Sequence, residues 1–451
     1  MFVLAALPLS VRLLAICLAG WVLGSLVNWA IYRLAWNRRD ISPWGPAPSG
    51  APPRSWADRL PVLGWLRLRR EHDLHGRGFW MRPLAIEAAM GLGLATLYWW
   101  EVARQGLVYQ QVQNILGGAI PLALPVVSDG ITHAMFLSHA VLIALMAAAS
   151  FIDIDEKIIP DEITVPGTLL GLVLMTALPM GLLPHVEERK MPPTIGELVT
   201  LPPAVEGINV YAEPVTLAAP NQWSNDLDGW PALVLAQACW WLWCFALTPR
   251  IWRGRHGTCR ALAVIVRRVL RELSRPPLGA IAAVGCVAIG AVWWLGGAAW
   301  VGLATALLGM AVSGAMVWVV RLVGTWALGR EAMGFGDVTL MMMVGTFVGW
   351  QAGVVIFFVA PFAALVIGIL QLVLHRGDVI PYGPFLCLGT LAVVVDWPVY
   401  WSPSLQALFS VGWLMPVVLL ASFALLGVML TIWRQIKRIL FGQHDVQGEE
   451  K

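Results

Sequence analysis

Two carboxylates stand out by their surroundings. Asp153 lies in Phe151-Ile152-Asp153-Ile154-Asp155-Glu156-Lys157-Ile158-Ile159-Pro160-Asp161, and Asp337 closes Gly334-Phe335-Gly336-Asp337. Each sits where a long apolar run meets a polar loop. A carboxylate at a membrane edge loses hydration, so its position is seldom accidental. Two of them brought together can activate water. Like charges a few ångströms apart cannot both ionise cheaply, so such a pair holds one proton. The ionised member takes a proton from water. The protonated member gives one to the carbonyl oxygen or leaving amine of a peptide bond. Gly334 and Gly336 permit close backbone approach and a tight turn into a helix, leaving room for an extended substrate. Pro160 and Pro166 bracket the loop after Asp153, and Asp161 and Thr164 suit capping of the next helix. Gly334, Gly336, Pro160 and Asp161 are thus the expected supports of a catalytic pair, Asp153 and Asp337.

The bland reading has weight. A lone aspartate at a membrane edge is most often a helix cap or a solvated charge, and a lone G-x-G-D is a weak signal. What raises the chemical reading is the pair of motifs on one expected face of the membrane. Asp155, Glu156 and Glu162 read as solvated loop charges, as Asp161 also does outside a supporting role. His133, His139 and His185 fall on or near loops of the opposite face and show no ligand spacing.

The elements that must position these groups are membrane helices. The chain has 451 residues, 58% hydrophobic and 13% charged, with mean hydropathy +0.72. A soluble domain carries about 25% charge. Its 25 tryptophans suit interfacial anchoring. Runs able to cross roughly 30 Å of hydrocarbon begin near residues 11, 83, 132, 163, 230, 278, 299, 338, 354, 381 and 407. The expected fold is an all-α polytopic transmembrane bundle of about eleven spans. Leu295-Gly296-Gly297 and Gly349 to Gly353 are the expected turns within the two adjacent pairs. The first run is too long for a signal-peptide core and reads as a retained span. Residues 41–56, rich in Pro, Gly and Ser, read as irregular. The basic, amphipathic stretch 261–273 reads as lying on the inner membrane surface or as a topological anchor. Charges cluster at helix ends and not in mid-span, which argues against a transporter. None of the six cysteines forms a C-x-x-C pair, so neither a disulfide framework nor a thiolate zinc site is expected.

These motifs together resemble a known family, the bacterial type IV prepilin leader peptidase/N-methyltransferases, membrane aspartic proteases of the G-x-G-D type. Gly24 to Leu34 resembles the family's first helix, and Leu60 to Arg69 its cytoplasmic domain. Asp153 to Asp161 and Gly334 to Asp337 resemble its two catalytic motifs, and Ile380-Pro381-Tyr382-Gly383-Pro384-Phe385 its closing motif. The resemblance implies Asp153 and Asp337 as the catalytic pair, with Asp155 the local competitor of Asp153. It implies prepilin or pseudopilin substrates with short basic leaders, cleaved at the cytoplasmic face of the bacterial inner membrane. Nucleic acid is not an expected partner; the lipid bilayer is. It also implies methylation of the new N-terminus with S-adenosylmethionine, for which the residues show no fingerprint. A degenerate homologue, or a non-enzymatic transporter or assembly component, is the alternative.

The departures are specific. Trp44-Gly45-Pro46-Ala47 replaces the first cysteine pair of the family's cytoplasmic loop, and His72 and His75 the second. Two imidazoles make a poor structural zinc site, which wants four ligands, so zinc is not expected. The loop should instead be held by Trp56, Leu60, Val62, Leu63, Trp65 and Leu68. Thr339 stands where the family usually has Lys. The expected organisation is a first unit over 1–103, a peptidase unit over 132–400 with an insertion at about 184–277, and an extra span with a basic tail over 401–451.

Arginines concentrate in 35–82 and 250–277 and are scarce in 102–131 and 184–229. The positive-inside rule then predicts an outside N-terminus, an inside C-terminus and both motifs near the cytoplasmic face. Cysteines engineered into 41–56 should react only with permeant maleimide, and those at 215–225 with impermeant reagent. Labelling of 41–56 from outside would invert the topology.

Overall fold

A computed structural model describes residues 7–39, 41–116, 127–188, 210–248, 275–329, 331–373 and 381–441, together with residues 264, 267, 271 and 272. Most of the stretch 261–273 and Ile380 of the closing motif lie outside the described residues.

The chain is overwhelmingly helical. Its main elements are α1 (Leu9–Arg33), α2 (Met81–Tyr98), α3 (Gly106–Leu116), α4 (Asp129–Glu156), α5 (Asp161–Ala177) and α6 (Trp230–Ala246). They continue as α7 (Leu278–Leu295), α8 (Gly297–Leu328), α9 (Phe335–Val373), α10 (Gly383–Val395) and α11 (Leu414–Phe441). Each apolar run seen in the sequence falls on a helix. Among the described residues, six helices are long and apolar enough to cross a membrane: α1, α4, α7, α8, α9 and α11. The protein is therefore a multi-pass membrane protein by length and composition. Among the described residues, the departure from all-helical structure is an antiparallel ribbon of β1 (Pro184–Glu188) and β2 (Val210–Pro214), with His185 opposite Glu213.

The expected turns have clear physical causes. Gly296 and Gly297 take φ of 66° and 67°, which ends α7 and starts α8. Within α9, Gly349 leaves the helical region at φ 79°, ψ 176°. Four residues to either side, Gly345 and Gly353 both pack against the Ser313 hydroxyl of α8. The chain thus doubles back at Gly349, and α9 is two legs of a hairpin. Pro166, expected to lie in a loop, falls inside α5.

At the N-terminal side, α1 and α2 pack through small residues. A methyl on Gly20 would stand 2.7 Å from the Gly91 Cα, and one on Gly24 2.7 Å from the Glu87 Cα. Helices without side chains at the contact approach closely and gain dispersion that lipid cannot match. That approach buries Glu87, whose Oε1 accepts from Ser25 Oγ at 2.9 Å, Asn28 Nδ2 at 3.1 Å and Trp65 Nε1 at 2.8 Å. Its Oε2 accepts from the Val62 main-chain N–H at 2.5 Å. Val62 takes φ 64° to do so, a costly conformation for a β-branched residue.

The segment between α1 and α2 is held differently from expectation. Trp65 and Leu68 are buried, but Trp56, Leu60 and Leu63 are exposed and Val62 is half-buried. Buried ion pairs do the rest. Arg54 bonds both oxygens of Glu71, at 3.2 and 2.9 Å, and also donates to the Ser42 and Gly45 carbonyls. Asp58 accepts from Arg67 and Arg70, each at 2.8 Å, and caps its own turn through Ser55. Burial pushes the Asp58 carboxyl up, yet the Arg67 and Ser55 hydrogen bonds and the Arg70 charge hold it well below the usual carboxylate range. An apolar pattern cannot reveal such a core, because its parts are Arg, Glu and Asp.

Trp65→Ala removes a buried ring, about 3–5 kcal/mol, and strips Glu87 of one donor. Protease digestion of inside-out vesicles should therefore nick residues 41–82 faster in Trp65→Ala than in His75→Ala. Equal nicking would mean that the segment does not hang on Trp65.

Candidate active site

Asp153 occupies the last turn of α4. The helix ends because Lys157 takes the left-handed conformation, φ 56°, and donates its N–H to the Asp153 carbonyl at 2.8 Å. Asp337 occupies the first turn of α9. The turn before it is braced by Arg321 of α8, whose Nε donates to the Met333 carbonyl at 2.9 Å, whose Nη2 pairs with Glu331, and whose guanidinium stands 5.6 Å from the Phe335 ring centroid.

The two carboxylates, far apart in sequence, meet at one end of the bundle. Both are buried, 3% and 6% exposed. They lie near enough for the charge of Asp153 to act on Asp337. Asp153 Oδ2 is buried with no hydrogen-bond partner. Tyr382 lies within reach of Asp337, and Cys387, hydrogen-bonded to Ser150, within reach of both.

Glycines make this meeting possible. A methyl on Gly336 would stand 3.0 Å from the Ile159 Cβ, 3.3 Å from its N and 3.4 Å from its O. The G-x-G-D turn thus rests directly on the main chain of the loop after Asp153. Gly334 flanks the Asp337 carboxylate, its virtual methyl 3.7 Å from Oδ2. Pro160 is the residue before α5 and sets its entry. Asp161 opens α5 as its first residue, with no side-chain cap bond on that helix, and is exposed. It is therefore not the cap expected of it. Among the described hydrogen bonds and ion pairs, none joins Asp161 to either carboxylate.

Other expectations change. Asp155 and Glu156 are not free loop charges. Arg82 Nη1 grips both oxygens of Asp155, at 2.7 and 2.8 Å, while its Nη2 donates to the Phe151 carbonyl at 3.1 Å. Glu156 accepts from the main-chain N–H groups of Trp36 and Asn37, at 2.6 and 2.7 Å. These bonds tie the end of α4 to both ends of the segment linking α1 and α2. The motifs and the basic segment therefore share one end of the bundle. Thr339 is buried, and its hydroxyl bonds the Gly336 carbonyl at 3.0 Å, steadying the motif's own turn.

The three histidines assigned to loops are buried. His139 Nδ1 stands 2.7 Å from Glu101 Oε1, both side chains fully buried, and His133 lies between Tyr98 OH at 3.1 Å and the Asp129 carbonyl at 2.5 Å. His185 accepts from Trp401 Nε1 at 2.9 Å. Glu87 and Glu101 are also buried charges inside expected spans, which the sequence reading had not recognised. Both follow apolar residues on α2 and its π-helical extension Trp99–Ala103, so hydropathy hides them.

Among the described residues of the segment between α1 and α2, no three His, Cys, Asp or Glu side chains are placed together to hold a metal ion. His75 Nε2 faces Glu71 Oε2 at 3.5 Å, while His72 is half-exposed beside Asp73. Glu71 is already engaged by Arg54, a cation that would repel a metal. Both oxygens of Glu87, the carboxylate of the adjoining cleft, are taken by protein donors.

Comparison with known proteins fits this geometry. Residues 271–369 match the type IV leader peptidase family, a stretch that contains the Asp337 motif but not Asp153. A prepilin leader peptidase/N-methyltransferase of Myxococcus xanthus is 27% identical over 163 residues, 36% of this chain and 39% of that protein. Proteins of the same description from Aeromonas salmonicida and Pectobacterium carotovorum are 34% and 33% identical over 90 and 104 residues, 18% and 20% of this chain and 31% and 37% of theirs. The matched stretch thus spans well under half of each relative. No solved structure matches the chain.

The donor chemistry at Arg54, Glu71 and His75 predicts protein free of tightly bound zinc. Elemental analysis should find none in stoichiometric amount, and chelators should leave the segment's protease resistance unchanged. One zinc per chain, lost in His72→Ala, would overturn this. Over residues 271–369, which hold the Asp337 motif, the chain is similar to the type IV leader peptidase family, and Asp153 and the closing Tyr382-Gly383-Pro384 lie beside that matched stretch in the fold.

Proposed function

We propose that this protein is an aspartic endopeptidase of the bacterial inner membrane that removes short basic leaders from prepilins or pseudopilins at the cytoplasmic face. The observation that carries the reading is the meeting of Asp153 and Asp337, two buried carboxylates from distant motifs, at the bundle end that also holds the basic segment. One carboxylate draws a proton from water while the other protonates the departing amine. The low polarity around them strengthens both interactions. Gly334, bare beside the Asp337 carboxylate, leaves the substrate's extended backbone room to approach, while Gly336 packs on Ile159. An apolar helix following the leader would lie in the bilayer against the bundle, and a basic leader would remain at the charged membrane surface.

The relatives' name includes an N-methyltransferase. The proposed chemistry is proteolysis, with no step assigned to S-adenosylmethionine.

Asp153→Asn and Asp337→Asn should each abolish cleavage of a prepilin-like substrate in membranes, at unchanged insertion, because neither carboxylate replaces the other. Asp155→Asn should keep most activity. Its ion pair with Arg82 is partly exposed, and such pairs contribute about 0–1 kcal/mol. Full cleavage by the Asp337→Asn protein would remove the proposal.

A further inference from the structure

Asp153 stands at an unfavourable place in its own helix. The C-terminal turn of α4 carries unpaired carbonyls and the negative end of the helix dipole, which repel a carboxylate. Asp337 sits at the favourable end of α9. Some other group must compensate Asp153, and the start of α10 faces it. Gly383 is the first residue of α10, so its N–H has no partner within the helix. That main-chain group is directed at the Asp153 carboxylate.

The approach depends on glycine. A methyl on Gly383 would overlap Asp153 Oδ2, stand 3.3 Å from its Cγ and 2.9 Å from Ile159 Cδ1. Asp153 is 3% exposed and its Oδ2 has no hydrogen-bond partner. Among the described residues no cation pairs with it; Arg82 is committed to Asp155. Pro384, next in the helix, has no N–H to offer, so at the start of α10 the main-chain donor beside the carboxylate is that of Gly383.

We infer that Gly383 is a positioning residue for Asp153: the bare main chain at the start of α10 holds the carboxylate in its reactive orientation and offsets its charge. This rests on the reading of Asp153 and Asp337 as the reacting pair.

Two measurements test it on the full-length protein in proteoliposomes. The first uses a synthetic peptide with a short basic leader, a glycine and a Phe-rich apolar helix with an early Glu. Gly383→Ala should lower kcat about ten- to a hundredfold with KM within about twofold. Gly389→Ala serves as the control. It lies on the same helix as Gly383, crowds Ala360 of α9 and should leave kcat within about threefold. The second needs neither activity nor a change at Gly383. Tyr382-Gly383 is the only Tyr-Gly step in the chain, so carbonyl-labelled Tyr with nitrogen-labelled Gly gives one cross-peak in solid-state NMR. That peak should move in Asp153→Asn, and further than in Asp337→Asn. A peak indifferent to Asp153→Asn, an unchanged kcat in Gly383→Ala, or equal losses in the two glycine variants would overturn the inference. A wild-type protein that leaves the peptide intact while the peak responds would sink the peptidase reading instead, and leave the grip of Gly383 on Asp153 standing.

Discussion

Everything at the candidate site follows from main chains brought into direct contact. Ile159 lies between Gly336 on one side and Gly383 on the other, and the missing side chains let three segments close on it. In lipid there is little hydrophobic gain in pressing helices together, so close approach must come from small residues and dispersion. The same device operates at Gly20 and Gly24 against α2, and at Gly345, Gly353 and Ser313 between α8 and α9. A bundle assembled this way can hold two carboxylates side by side at low exposure, because its positions are set by rigid backbone contact and not by side chains able to relax away.

The second theme is how the bundle handles charge. Three buried carboxylates outside the pair are committed to named donors: Glu87 to Ser25, Asn28, Trp65 and Val62, Glu71 to Arg54, Asp58 to Arg67 and Arg70. A buried ion pair adds little net stability but is strongly destabilising when broken. These networks therefore act as locks. They fix the segment between α1 and α2 in the place where relatives of the family resemblance carry thiolates. Asp153 and Glu101 each keep one buried oxygen without a hydrogen-bond partner, but only Asp153 has a second buried carboxylate, Asp337, beside it.

The end of the bundle away from the two aspartates is closed by a small ribbon. The ribbon of β1 and β2 is stitched to the helices by Gln111 and Trp397 to the Pro184 carbonyl, and by Gln351 to the carbonyls of Thr216 and Ala219. Trp397 and Trp401 stack at 5.1 Å beneath it. The long loop expected as an insertion thus contributes a cap, and His185 is part of that cap.

Sequence by itself determined a great deal here. Apolar runs located the main helices except α3, because the bilayer leaves the backbone no other way to satisfy its hydrogen bonds. The glycines at 296, 297 and 349 marked two reversals, since only glycine adopts those angles at low cost. Asp153, Asp337, Gly334 and Gly336 were legible from residue type and from the edge of an apolar run. Tertiary structure decided what pattern cannot carry. Glu87 and Glu101 are single charges inside apolar stretches, and a window average hides them. Asp155 and Glu156 read as solvated because their partners, Arg82 and the main chain at Trp36 and Asn37, are distant in sequence. Trp56, Leu60 and Leu63 looked like core and face outward, since the segment's interior is filled by Arg54, Glu71 and Asp58. Gly383 was visible only as part of a motif; its contact with Asp153 exists because α4, α9 and α10 converge. Local sequence sets what a residue can do, and only the packing of distant helices sets what it touches.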